Sequence, residues 1–151
     1  MIFVDGACSR NGSPYAKGGV GIYFGPWSSF NRSCYFAGNQ TNQREEIIAA
    51  SYTLRFFLDY ALPSMVRRPS RVIIASDSKY VIHSMTDWVT KWKYNGWVNS
   101  KNQTVTNMDD LKRLDQRIEE AASKGIRVQF WSIPREDNED ADRLARKVTL
   151  S

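Results

Sequence analysis

Residues 71–80, "RVIIASDSKY", decide what kind of sheet this chain builds. Val72, Ile73 and Ile74 in succession read as a strand covered on both faces, because a strand with one wet face alternates apolar and polar residues. The strand ends at Asp77, and Ser76 or Asp77 is placed to start a helix through about Met85. A buried strand that runs directly into a helix belongs to a parallel arrangement. The N-terminal side reads differently. Segments 2–7, 18–24 and 33–38 are strand-like, and "SRNGSPYAKG" and "GPWSSFNR" between them are turn-rich and short enough to join antiparallel neighbours.

Between the two regions a helix is expected over about 42–60. Thr41 or Asn42 caps it, Glu45 serves as the capping-box partner of Asn42, and Ile47, Ile48, Tyr52, Leu54 and Phe57 or Leu58 form its apolar stripe. Beyond residue 85, "DWVTKWKYNGW" reads as a short helix closed by Asn95-Gly96, and 107–123 has helical spacing in Leu111, Leu114 and Ile118. "RVQFWSI" is a fifth strand stopped by Pro134, and "NEDADRLARKV" a last helix with Ala141, Leu144 and Ala145 on one face. The order β-β-β-α-β-α-α-β-α predicts an α/β protein. Its sheet is a mixed five-stranded one, three antiparallel strands plus two parallel, flanked by helices. The 151 residues suit a single domain over 1–151.

Composition narrows the function. Hydrophobic residues make up 42% and charged residues 25%, ordinary for a globular protein. No apolar run reaches the ~20 residues that span a bilayer, and the N-terminus lacks the order of a signal peptide. An intracellular protein with no membrane partner is expected, so the Asn-x-Ser/Thr triplets at Asn11, Asn31, Asn39 and Asn102 read as chance matches. Cys8 and Cys34 are expected to be reduced thiols. His83, the only histidine, reads as a helix-surface residue, so neither a zinc site nor a histidine-activated nucleophile is expected. A net charge of +5 favours a polyanionic partner.

The carboxylates carry the chemistry. Asp5 ends the first strand and Asp77 the fourth. If these strands are adjacent and parallel, both side chains emerge at the carboxyl edge, where open α/β sheets place their sites. Glu46, in the first turns of one helix, and Asp142, early in another, can reach the same edge. Each also has a plain reading: Asp5 as turn chemistry, Asp77 as a helix cap, Glu46 as a complement to the helix dipole, Asp142 as a surface charge. Four clustered carboxylates would repel unless neutralised by protons or a cation. Hard divalent ions take such oxygen ligands, and two of them ~4 Å apart form the clamp used in phosphodiester hydrolysis.

At this point "DGACSRNG", "GNQTNQREEIIAA", "SDSKYVIHSMTDWVTKWKYNGW" and "NEDADRLA", in order over essentially the whole chain, resemble the type 1 ribonuclease H family, most strongly its eukaryotic branch. The resemblance implies the ribonuclease H-like fold. It also implies an endoribonuclease that hydrolyses the RNA strand of RNA–DNA hybrids with two Mg²⁺ or Mn²⁺ ions, leaving 5′-phosphate and 3′-hydroxyl ends. It maps the metal-binding carboxylates onto Asp5, Glu46, Asp77 and Asp142, with Asp5 bridging the ions. Asn11, Asn42 and Gln43 match positions that contact the minor groove or RNA 2′-hydroxyls, and amide side chains supply both the donors and the acceptors such reading needs. Thr41 and Asn107 match a pocket for a DNA-strand phosphate. Tyr80, Trp88 and Ser100 match the channel for DNA sugars, with Trp92 expected to be buried behind Trp88. Lys91, Lys93 and Lys101 would add salt-sensitive attraction. A monomer is expected, and with Met1 directly ahead of the first strand no further hybrid-binding domain is expected on that side.

The chain departs from the family pattern in three places. Its loop "PREDNEDAD" is short and lacks the usual histidine, for which Arg135, Glu136 or Asp137 are the available substitutes. Asn39 stands where arginine often completes the phosphate pocket. Glu45 stands beside Glu46 where a small residue is usual, and adjacent helix positions diverge by ~100°, so Glu45 is expected in solvent or in a cap. The alternative to an active nuclease is a catalytically weak or inactive hybrid-binding module of the same fold. A transposase- or integrase-like nuclease lacks the basic "KWKYNGW" segment, and a glycosidase would need a carbohydrate groove.

Overall fold

A computed structural model describes residues 1–9, 17–37 and 41–149. Among them the chain forms β1 (Ile2–Ser9), β2 (Lys17–Tyr23), β3 (Arg32–Ala37), α1 (Asn42–Phe56) and β4 (Arg71–Ser76). These are followed by α2 (Lys79–His83), α3 (Val89–Asn95), α4 (Met108–Ser123), β5 (Arg127–Ser132) and α5 (Glu139–Thr149). The sheet order is β3-β2-β1-β4-β5. β1 and β2, and β2 and β3, are antiparallel, whereas β1 and β4, and β4 and β5, are parallel. This is the mixed sheet the sequence predicts, and "RVIIAS" lies buried in it from Val72 to Ser76.

The core is built from Ile2 and Val4 of β1, Val20 and Ile22 of β2, Ile74 of β4, and the inner faces of α1 and α4. Leu111 and Leu114 of α4 are fully buried, as their spacing predicts. α5 packs on the opposite face of the sheet, close against β2. A Cβ at Gly21 would collide with the Ala141 carbonyl oxygen, so only glycine admits the helix at that depth.

Several expected boundaries differ. β1 does not stop at Asp5 but continues to Ser9, because β2 goes on pairing with it through Ser9↔Lys17 after the β4 ladder ends. α1 is capped by Thr41, whose Oγ1 accepts the Arg44 N–H at 3.2 Å. The proposed Asn42–Glu45 box is therefore not the one used. α1 gives way at Phe57–Ala61 to a wide π-type turn. The helix after β4 is capped by Ser78, whose Oγ accepts from Val81, rather than by Ser76 or Asp77. α2 and α3 are consecutive pieces of one helical run, joined through a second wide turn at Ser84–Trp88 and closed by Gly96 at φ 78°. Closure at Asn95-Gly96 is as expected.

Candidate active site

The β1–β4 ladder has only two pairs, Ile2↔Ile74 and Phe3↔Ala75. Immediately beyond it Asp5 and Asp77 project at the edge where the parallel pairing has ended. α1 brings the third carboxylate. A Cβ on Gly6 would stand 2.6 Å from the Glu45 carbonyl oxygen, so the glycine beside Asp5 is what lets the first turns of α1 lie on β1. At that distance the Gly6 N–H donates to Glu46 Oε2 at 3.3 Å. Asp5, Glu46 and Asp77 each offer an oxygen within 4.8 Å of the others.

Asp142 reaches the same cleft from α5, close enough to Asp5 for the two to influence each other's titration, but it stands outside that group of three. Its Oδ1 accepts from Arg146 Nε at 2.9 Å. The structure thus brings together three of the expected carboxylates tightly and sets the fourth at their rim.

The electrostatics follow from burial and crowding. Burial pushes Asp5 up to about 7; the hydrogen bond from Glu46 works against this, and Asp142 and Asp77 reinforce it. Glu46 is also raised well above its usual range, by burial and then by the charge of Asp5. Both carboxyl groups are thus shifted toward the protonated form, which relieves their mutual repulsion when no cation does so. Burial alone would raise Asp142 too, but its hydrogen bonds to Arg146 and Asp5 and the charges of Arg146 and Arg135 bring it below the ordinary value. A crowded set of carboxylates, Asp5 buried and Glu46 and Asp77 half-buried, is a donor set suited to a hard divalent cation, which relieves the same repulsion without protons. Asp5, Glu46 and Asp77 could hold such an ion, and Asp142 could complete its surroundings.

The cleft encloses about 390 Å³ between the start of α1 and the length of α5, with Asn42, Arg135 and Thr149 on its walls. Asn42 and Gln43 are exposed at the mouth of α1. Asn107, at the start of α4, has the left-handed φ of 60° and donates from Nδ2 to the Tyr80 hydroxyl at 3.2 Å. This bond ties a residue expected at a phosphate to one expected at the sugar channel. Trp88 is 43% exposed and stacked on His83, whereas Trp92 is half-buried rather than fully covered. Ser100 is exposed. Asn11 and Asn39 lie outside the described residues.

Two expectations are corrected here. Lys93 is not an available cation: its Nζ is 3.0 Å from Asp115 and 2.8 Å from Glu119. Glu45 is neither in solvent nor in a cap; it is 0% exposed, with both carboxylate oxygens unpartnered. The 100° argument correctly separates it from Glu46 but turns it inward, over the bare Cα of Gly18, rather than outward. Burial raises its carboxyl to about 8, the nearby Arg44 opposing and Asp110 adding to the shift.

Sequence reasoning missed Asn138. It ends the single turn Arg135–Asn138 and is 1% exposed. Its Nδ2 donates to the Val4 carbonyl at 2.8 Å and to Asp77 Oδ2 at 3.1 Å. One amide therefore fixes the Asp77 carboxylate against the strand that carries Asp5. In sequence it looks like any asparagine ahead of a helix. Arg146 was also missed, although its position four residues after Asp142 was a readable signal for an ion pair.

The five-stranded mixed sheet thus carries Asp5, Glu46 and Asp77 clustered at its carboxyl edge. The RNase H family model matches residues 1–149, and this chain belongs to that family. It is 35% identical to mouse (Mus musculus) Ribonuclease H1 and 33% to the human (Homo sapiens) protein, in each case over 97% of this chain and 49% of the relative. It thus spans about half the length of these curated relatives. The Ribonuclease H of Pelobacter propionicus is 32% identical over 97% of this chain and 82% of its own. Among solved structures, LC11-RNase H1 in complex with RNA/DNA hybrid superposes with a TM-score of 0.68 at 22% identity, covering 99% of this chain and 98% of that one. At that identity the likeness shows the fold.

Proposed function

We propose that this protein is a metal-dependent endoribonuclease that hydrolyses the RNA strand of RNA–DNA hybrids, leaving 5′-phosphate and 3′-hydroxyl ends. The observation that carries the reading is the convergence of Asp5, Glu46 and Asp77 oxygens within 4.8 Å, in a chain of the RNase H family. Two divalent ions, Mg²⁺ or Mn²⁺, bound there would supply a hydroxide-like nucleophile and stabilise the departing oxygen.

The side chains of this chain do the rest. Asp5, Glu46 and Asp77 would hold the ions, with Asp5 shared between them and Asp142 beside it. Asp142 is kept anionic by Arg146 at the rim, and Arg135 adds positive charge at the same wall in place of the missing loop histidine. Asn42 and Gln43, with Asn11, would read 2′-hydroxyls, the group that separates RNA from DNA. Thr41 and Asn107 would take a DNA-strand phosphate, and Tyr80, Trp88 and Ser100 the sugars beyond it. Lys91 and Lys101 are exposed beside this path and would add sequence-independent attraction.

The test is cleavage of a labelled RNA–DNA hybrid with Mg²⁺ or Mn²⁺, beside duplex RNA and duplex DNA, with Asp77→Asn in parallel. Hybrid-only cleavage that is lost in the variant supports the proposal. Salt-sensitive hybrid binding without cleavage in the unaltered protein would replace it with the binding-module reading.

A further inference from the structure

A second concave site lies around α1 from the carboxylates, between α1 and α4. It encloses about 270 Å³ and carries four arginines, Arg44, Arg55, Arg113 and Arg117, against a single acid in its lining, Asp110. Asp110 is buried and accepts from both Arg44, at 2.9 Å, and Arg113, at 3.3 Å. One carboxylate thus anchors two guanidinium groups and neutralises only one. Arg117 leans on Glu120 at 3.1 Å and Arg55 on Asp59 at a loose 3.7 Å, both acids standing outside the cavity lining. The wall opposite is apolar and aromatic: Ile48, with the Tyr52 and Phe36 rings edge-to-face at 5.6 Å. The hydrogen bond to Cys34, and after it burial, raises the Tyr52 phenol to about 12, so this wall carries no negative charge near neutrality.

Four arginines against three acids leave one positive charge in excess around the cavity, which an anion lying among them would balance. Arginine forks match phosphate oxygens two at a time, and an aromatic wall beside them suits a planar ring. The volume is at the small end for organic ligands and too small for duplex. We propose that this cavity is a nucleotide site, binding a nucleoside 5′-monophosphate with its phosphate on Arg113 and Arg117 and its base against Tyr52 and Phe36. Two sources share that chemistry, a free mononucleotide and the phosphorylated end of a strand. The inference does not depend on the ribonuclease reading, since no carboxylate of the cleft lines this cavity.

Calorimetric titration with AMP tests it, in EDTA so that the carboxylate cleft holds no metal, with adenosine, inorganic phosphate and a short 5′-phosphorylated DNA oligonucleotide as further probes. Saturable, salt-sensitive AMP binding is expected, tighter than either fragment and weakened about tenfold in the R113Q/R117Q double variant. An oligonucleotide that outbinds AMP, with the gain lost in the same variant, assigns the source as a strand end; equal affinity assigns it as the free nucleotide. Absence of saturable binding by both AMP and the oligonucleotide overturns the proposal, as does affinity unchanged in the variant. Phosphate binding as tightly as AMP overturns the nucleotide assignment. Thermal unfolding checks the variant, and R117Q alone, which loses only the pair with Glu120, carries the same comparison if the double variant does not fold.

Discussion

Two buried side chains show how much a single residue decides here. Asn138 holds Asp77 and the Val4 carbonyl with one amide group. Replacing it with alanine should leave Asp77 free to rotate away from Asp5. Partners that orient ligand side chains typically contribute 10–100-fold in affinity or rate. We expect Asn138→Ala to lower hybrid cleavage by about that factor and raise the metal concentration needed, while Asn138→Asp fails to restore it because a carboxylate cannot donate to either acceptor. A metal titration of the cleavage rate checks this, and an unchanged half-saturation point would exclude the positioning role. Glu45 is the opposite case, a buried acid that nothing satisfies. Glu45→Met removes two unpartnered oxygens at similar volume, so it should stabilise the fold by roughly 1–3 kcal/mol. The gain should be larger at pH 9 than at pH 6, since only above about 8 must the native protein bury the charge. Denaturant unfolding at the two pH values measures it.

At the scale of elements, the site depends on how closely two helices approach the sheet. α1 lies on β1 over Gly6, and α5 lies on β2 over Gly21. Gly21→Ala must push the Ala141 backbone outward, carrying Asp142 and Arg146 with it. Overpacking of this kind costs ~1–3 kcal/mol or more. The variant should show both a lower unfolding temperature and a loss of cleavage that excess Mg²⁺ only partly restores; unchanged stability would mean that α5 is not seated as described. Alternation and helical spacing announced these elements clearly. The depth of their docking was not legible, because a glycine in a strand reads the same whether it faces solvent, a bulge or another backbone. The same limit explains Glu45. Helical geometry puts it on a different side from Glu46 but does not say which side is inside, and a charged residue beside a ligand carboxylate defaults to solvent in any reading by residue type.

For the whole molecule, the raised carboxylates link folding to pH and to metal. Asp5 and Glu45 titrate near their ordinary values of about 4 when unfolded but hold protons to about 7 and 8 when folded. Glu46 is shifted in the same direction, so over this range the native state binds more protons than the unfolded state and stability falls as pH rises from about 4.5 to about 8. In EDTA the unfolding temperature should therefore decline across this window. Saturating Mg²⁺ should raise it by mass action and flatten the part due to Asp5, since the ion replaces the proton, while leaving the part due to Glu45. Calorimetric scans over pH with and without Mg²⁺ resolve the two parts, and a profile that rises with pH in EDTA would show the carboxylates to be ionised in the metal-free fold.

The sequence by itself determined the class of sheet and the run of elements, and it offered Asp5, Glu46, Asp77 and Asp142 as candidates for one edge. Period-two and helical patterns and an unbroken apolar strand at Val72–Ile74 are local features, written in neighbouring residues. Only the tertiary structure decided which of those acids sit within one ion's reach and that Lys93 is spent on Asp115 and Glu119. The structure likewise revealed the depth at which Glu45 is buried, the hold of Asn138 on Asp77 and the gathering of arginines from α1 and α4 around one cavity. Each of these depends on atoms brought together from dozens of residues apart, and the packing that joins them is set by the whole core rather than by any one stretch of chain.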